Sequence, residues 1–119
     1  MGRREHRGGR LSDGTAAPTH GERTIALADG HGFIVEQILS GQLSAPVDYL
    51  QEHDEWCVVL DGEALLEVDG TPHALARGDW LLLPAKVPHR LVRTEGGTNW
   101  LVVRATGTRQ QEGVRSDGP

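Results

Sequence analysis

Five polar side chains in this 119-residue chain stand at spacings that suit chemistry. Gln51, His53 and Glu55 are two positions apart, and His89 and Arg93 follow in a later apolar stretch. Successive side chains on a β-strand point to opposite faces, so residues two apart line one face. If Glu55 faces inwards, then Gln51, His53, Cys57 and Val59 share its face, with Tyr49 at the rim. On the later stretch, His89 shares a face with Leu91 and Arg93. An imidazole and a carboxylate brought together can act as general acid and base. They can equally supply two ligands to a divalent ion such as Zn, Fe, Ni or Mn.

The expectation is therefore that His53, Glu55 and His89 carry proton transfer. Tyr49, Gln51 and Arg93 are expected to contact a substrate, the planar guanidinium of Arg93 suiting a carboxylate or phosphate. A divalent metal, where bound, would be held by Glu55 and His89 with His53 or the Gln51 amide oxygen. Nothing in the sequence calls for an organic cofactor. Plainer readings stand beside each assignment. Glu55 and His89 can simply pair with one another, Arg93 can form a salt bridge, and Cys57 suits a small packed thiol better than a nucleophile. Trp56, Trp80 and Trp100 suit either a ligand cavity or an interface.

The elements that must position these residues read as short strands. Candidates are 24–27, 33–39, 47–51, 55–60, 64–68, 73–75, 80–83, 87–93 and 99–105. They are punctuated by Asp29-Gly30, Gly41, Asp61-Gly62, Asp69-Gly70, Gly78-Asp79 and Gly96-Gly97. Asp-Gly between apolar runs is a strong hairpin signal, and it occurs three times. No stretch sustains a helical apolar period. Many short strands with frequent turns predict an all-β, antiparallel barrel or two-sheet architecture.

Composition sets the limits. The length suits one domain. Residues 24–106 hold twelve Asp/Glu against five Lys/Arg, a net charge of −7, which disfavours a nucleic-acid backbone as partner. Residues 1–22, with Arg3, Arg4, Arg7 and Arg10 among several glycines, read as a disordered arm. Residues 23–106 read as the barrel and 107–119 as a disordered tail. No run reaches the roughly 20 apolar residues of a membrane-spanning helix. The lone Cys57 excludes an internal disulfide, and with no hydrophobic leader after the arginines the expected location is cytoplasmic.

Two groups of residues carry a resemblance. Glu55 with Gly62, and Gly78 with Pro84 and His89, resemble the paired motifs of the cupin superfamily. Lys86 stands at a motif glycine and Arg93 at a motif asparagine. Tyr49 and Gln51 fall where cupins carry a His-x-His pair. The resemblance implies a jelly-roll (double-stranded β-helix) barrel, often around one metal ion, working as a homodimer on a small-molecule substrate. It further implies isomerase, epimerase, cyclase or lyase chemistry of the kind found in secondary metabolism. The alternatives it leaves are a metal-dependent dioxygenase and a non-catalytic binding or sensing module.

Overall fold

The computed structural model of the chain describes residues 5–95 and 97–107. Nine strands follow in order: β1 (Glu22–Gly30), β2 (Phe33–Ser40), β3 (Val47–Tyr49), β4 (Glu55–Asp61), β5 (Glu63–Val68), β6 (Thr71–Ala76), β7 (Trp80–Leu83), β8 (His89–Thr94) and β9 (Thr98–Ala105). They form two antiparallel sheets, one ordered β1-β2-β9-β4-β7 and the other β3-β8-β5-β6. This is an all-β jelly-roll barrel. Each of the nine stretches read from the sequence holds a strand.

Alternation explains the core. On β4, Cys57 and Val59 point inwards and are buried, as are Trp100 and Val102 on β9. Leu66, Leu83 and Leu91 meet them from β5, β7 and β8, and Leu75 closes the cluster from β6. On β7 the outward residues Trp80 and Leu82 stay 60% and 56% exposed. The three tryptophans therefore divide. Trp100 is inside, whereas Trp56 and Trp80 tilt against one another with ring centroids 6.2 Å apart.

The Asp-Gly pairs play three different parts. Asp69-Gly70 is a true two-residue hairpin: Val68 faces Thr71, and both turn residues have positive φ, 50° and 85°. That conformation matches the twist of the flanking strands. Asp29-Gly30 instead lies within β1, and the turn is made by His31 and Gly32 between Gly30 and Phe33. Asp61-Gly62 joins strands of different sheets. A β-carbon at Gly62 would come within 2.9 Å of the Thr98 backbone. The local signal marks a reversal, but pairing partners come from tertiary contacts.

Part of the arm expected to be disordered is docked. The peptide of Ser12 bonds the Gln37 side chain at both ends, donating N–H to Oε1 at 2.9 Å and accepting from Nε2 at 2.7 Å. The same Nε2 donates to Asn99 Oδ1 at 2.8 Å. Gln37 is fully buried. Further on, Gln42 N–H donates to the Thr19 carbonyl at 2.9 Å and Gly21 N–H to the Gln42 carbonyl at 3.1 Å. Composition could not reveal this, because the arm is held through backbone groups by polar residues of the barrel. The tail expected at 107–119 lies, from residue 108 onwards, outside the described residues.

Truncating the clasp while leaving its partners buried is costly. Gln37→Leu should lower the unfolding free energy by about 2–3 kcal/mol, the cost of orphaning more than one buried polar group. Urea denaturation followed by tryptophan fluorescence measures it, and an unchanged midpoint would show that the arm contributes nothing.

Candidate functional site

Between the two sheets lies a cavity of about 370 Å³. Its apolar wall includes Leu66, Leu83, Leu91, Trp100 and Val102. Its polar residues come from both sheets. Glu36, Glu55 and Arg104 stand on β2, β4 and β9, three adjacent strands of one sheet. Tyr49 and His89 face them from β3 and β8, where they form a cross-strand pair. Glu22, at the start of β1, and Thr24 also line the cavity and are exposed, marking its open side.

Four of the residues singled out in the sequence, Tyr49, Gln51, Glu55 and His89, line this space together. His53 and Arg93 do not. Arg93 is exposed because β8 carries a bulge: Leu65 pairs with Arg93 while the next residue, Leu66, pairs with Leu91. The extra residue, Val92, shifts the alternation by one, so Thr94 rather than Arg93 is buried. The substrate contact expected of Arg93 is therefore corrected: its guanidinium lies outside the cavity.

His53 is lost to the site for a different reason. β3 ends at Tyr49, so the alternation does not run on to Glu55. The connecting loop is tied to the 84–88 turn instead. Lys86 N–H donates to the Gln51 carbonyl at 2.7 Å, and Ala85 N–H to Asp54 Oδ1 at 2.8 Å. Lys86, at the motif glycine, keeps the left-handed φ of 67° that glycine adopts without penalty. Gln51 keeps its place in the cavity and His53 does not, which removes His53 from both the catalytic and the ligand set.

Sequence reasoning missed Glu22, Glu36 and Arg104. Arg104 was legible in principle, as the charged residue in register with the inward Trp100 and Val102. Glu36 likewise shares parity with Ile38. Glu22 was hidden by its place in the expected arm.

The electrostatics follow from burial. Desolvation pushes the Glu55 carboxyl above the ordinary carboxylate range; a hydrogen bond from Gln51 and the nearby His89 and Arg104 offset part of this, while Glu36 adds to it. Glu36 and Arg104 form an ion pair at 3.0 Å. Burial, with the charges of Glu22 and Glu55 and a hydrogen bond to Glu22, pushes the Tyr49 phenol up to about 12. Burial and Glu55 push the Cys57 thiol to about 12 as well, so it is a packed thiol rather than a nucleophile. His89 stacks on Tyr49, centroids 5.2 Å apart and planes inclined by 15°. Its Nδ1 lies 3.4 Å from the Val87 carbonyl. In the tautomer whose Nδ1–H donates there, Nε2 is the acceptor nitrogen.

A two-sheet jelly roll enclosing a partly polar cavity defines a class of antiparallel β-barrels. The chain belongs to one family of that class, Cupin_2, the cupin domain, whose profile matches residues 34–104. It is similar to a candidate mannose-6-phosphate isomerase from Ralstonia eutropha JMP134, at 31% identity and a TM-score of 0.70, over 83% of this chain and 100% of the other. A RmlC-like cupin from Shewanella frigidimarina NCIMB 400 has the same fold, with 21% identity and a TM-score of 0.62 over 88% and 96% of the two chains. The 3-hydroxyanthranilate 3,4-dioxygenase of Xanthomonas campestris pv. campestris strain B100 is 35% identical over 89 residues, covering 71% of this chain and 49% of that enzyme. The chain thus spans about half the length of the curated relatives it matches.

Cupins typically bind a metal, which calls for a test of the donor set. Among the described residues, no three His, Cys, Asp or Glu side chains converge as ligands. The cavity offers one imidazole, His89, and the carboxylates of Glu22, Glu36 and Glu55. Of these, Glu36 is engaged with Arg104. Cys57 keeps its proton and His53 lies elsewhere. These residues do not fit a three-ligand protein cage. Among the described residues no helix is long and apolar enough to cross a membrane.

Two outcomes follow. The folded chain holds the Glu55 proton more tightly than the unfolded one. That contribution to stability is complete below the ordinary value of 4.5 and is lost as pH rises through the raised folded value. Glu55→Gln should therefore remove a decline in melting temperature across that window, leaving a flatter profile by scanning calorimetry. Cys57, 3% exposed, should resist a thiol-reactive dye at pH 8 in the native protein and label fully in denaturant.

Proposed function

We propose that the barrel is an enzyme that moves a proton on a small carbonyl compound, with His89 as base and Glu55 as acid. One observation carries this reading. From opposite sheets, His89 and Glu55 line a single cavity with an apolar wall, and burial favours the protonated form of the Glu55 carboxyl. A carboxyl held towards its protonated form and an imidazole in one cavity supply an acid and a base.

The step balances without a redox partner. Nε2 of His89 takes a proton from the carbon next to the carbonyl, and the electron pair of that C–H bond becomes the enol double bond. Glu55 delivers its proton to the carbonyl oxygen. The imidazolium then returns its proton to the same carbon at the other face once the enol has turned over, and the enol O–H proton goes back to Glu55. In an α-hydroxy carbonyl compound the imidazolium proton returns instead to the former carbonyl carbon, and the proton Glu55 takes back is that of the α-hydroxyl, which becomes the new carbonyl. The result is isomerisation or epimerisation; ring closure follows where the enol meets an internal electrophile. Gln51 supports the cycle by its hydrogen bond to Glu55, and Tyr49 by holding the imidazole plane. The likeness to the Ralstonia protein supports an isomerase-type reading.

A second reading, a metal-dependent dioxygenase, draws on the 35% identity with the Xanthomonas enzyme. Metal content of the purified protein separates the two. A stoichiometric divalent ion that disappears in His89→Ala would move the reading to metal chemistry. A non-catalytic binding module would share the cavity but not the turnover.

Exchange of carbon-bound hydrogen in D2O, followed by NMR over a panel of small ketones and oxo acids, tests the proposal without a named substrate. For the best panel member, His89→Ala should slow exchange at least about a hundredfold, the lower range for losing a general base. Saturable binding with no exchange by the native protein would leave only the binding module standing.

A further inference from the structure

The carboxylate of Glu22 has no role in the proton transfer described above, yet it is built into the cavity with unusual care. Its Oε2 accepts from the Ser40 hydroxyl at 2.7 Å, and its Oε1 from the Tyr49 hydroxyl at 3.1 Å. Ser40, fully buried, is fixed in turn by the Trp100 Nε1–H at 3.1 Å. Each Glu22 oxygen thus has one donor and keeps further acceptor capacity. Among the described residues no cation pairs with Glu22, because Arg104 is engaged with Glu36. The cavity as a whole is short of positive charge. Three carboxylates, Glu22, Glu36 and Glu55, face one guanidinium. The balance stays negative even with Glu55 holding its proton.

A second polar group faces the same cavity. His89 is 7% exposed, lines the same cavity, and has no protein partner at Nε2. A molecule that reaches His89 passes Glu22 and the Tyr49 ring, which stacks on that imidazole. A positive group on the outer end of the ligand would meet a fixed carboxylate and an aromatic ring. Both attract ammonium groups, the ring through its negative face. An anionic group at the same place would meet Glu22 without a free guanidinium, since Arg93 lies outside the cavity.

We propose that Glu22 is the specificity-determining residue of the cavity and selects ligands bearing a protonated amine over neutral or anionic ones. The proposal rests on the reading of the cavity as the ligand site and adds the charge class of the ligand. The substrate is then a small amine-bearing carbonyl compound, its ammonium at Glu22 and its reacting carbon at His89.

Three probes of matched shape separate charge from fit: benzylamine, benzyl alcohol and benzoate. Their affinities are read by ligand-observed NMR titration at low salt, for the native chain and for Glu22→Gln. Glutamine keeps the size of the side chain, an acceptor oxygen for one of the two hydroxyls and an N–H that can donate to the oxygen of the other. The native protein should bind benzylamine about three- to tenfold more tightly than benzyl alcohol, the range for a partly exposed ion pair with a cation–π contact. Benzoate should bind weakest. Glu22→Gln should bring the amine level with the alcohol. Benzoate binding tightest would overturn the charge selection while leaving the cavity reading intact. An amine preference that survives Glu22→Gln would remove Glu22 as its source. Binding of none of the three at millimolar concentration would sink the cavity reading, and the selection with it.

Discussion

The inner face of the five-stranded sheet must hold a half-buried row of charge, and much of the molecule follows from how it does so. Glu36, Arg104 and Glu55 lie on β2, β9 and β4, which are neighbours. Ionised groups in a low-dielectric interior persist only when paired or when they neutralise. Here both happen. Glu36 pairs with Arg104 at 3.0 Å, and Glu55, opposite Arg104 in the β4–β9 register, is pushed towards its protonated form. A slip of β9 by one residue would turn Arg104 outwards and leave two half-buried carboxylates without a cation. The row therefore fixes the register of the central strand as firmly as the apolar contacts of Trp100 and Val102 do.

That arrangement gives the cavity two chemically distinct sides. The charged row stands on one sheet, and the stacked Tyr49–His89 pair stands on the other. The imidazole is held by packing and by the Val87 carbonyl, not by a carboxylate. It faces the cavity from one sheet, and the Glu55 carboxyl faces it from the other. The family position that often carries His-x-His holds Tyr49 and Gln51 here, and both side chains serve the pair that remains. One stacks on the imidazole and the other bonds Glu55.

The N-terminal segment extends the same logic to the outer face. Gln37 alternates with Glu36 and Ile38, so it turns its back on the cavity and needs partners on the far side. Asn99 and the Ser12 peptide supply them. The clasp brings the chain into β1, where Glu22 takes its place at the open side of the cavity. An outer polar contact and an inner polar site are thus linked by neighbouring residues of one strand.

The sequence by itself determined the strands, because their evidence is local: apolar alternation and glycine turns fix where each stretch begins and reverses. It also determined that Glu55 and His89 would be close, since their motif positions lie on strands that a barrel brings face to face. Which residues joined them was decided only by the tertiary structure. Alternation is a counting rule, and a single bulge at Val92 or an early end to β3 at Tyr49 changes the count, which is why Arg93 and His53 fall outside. Arg104, Glu36 and Glu22 come in through pairings between strands far apart in the chain. Composition carries no record of those pairings, nor of a docked arm held by its peptide groups.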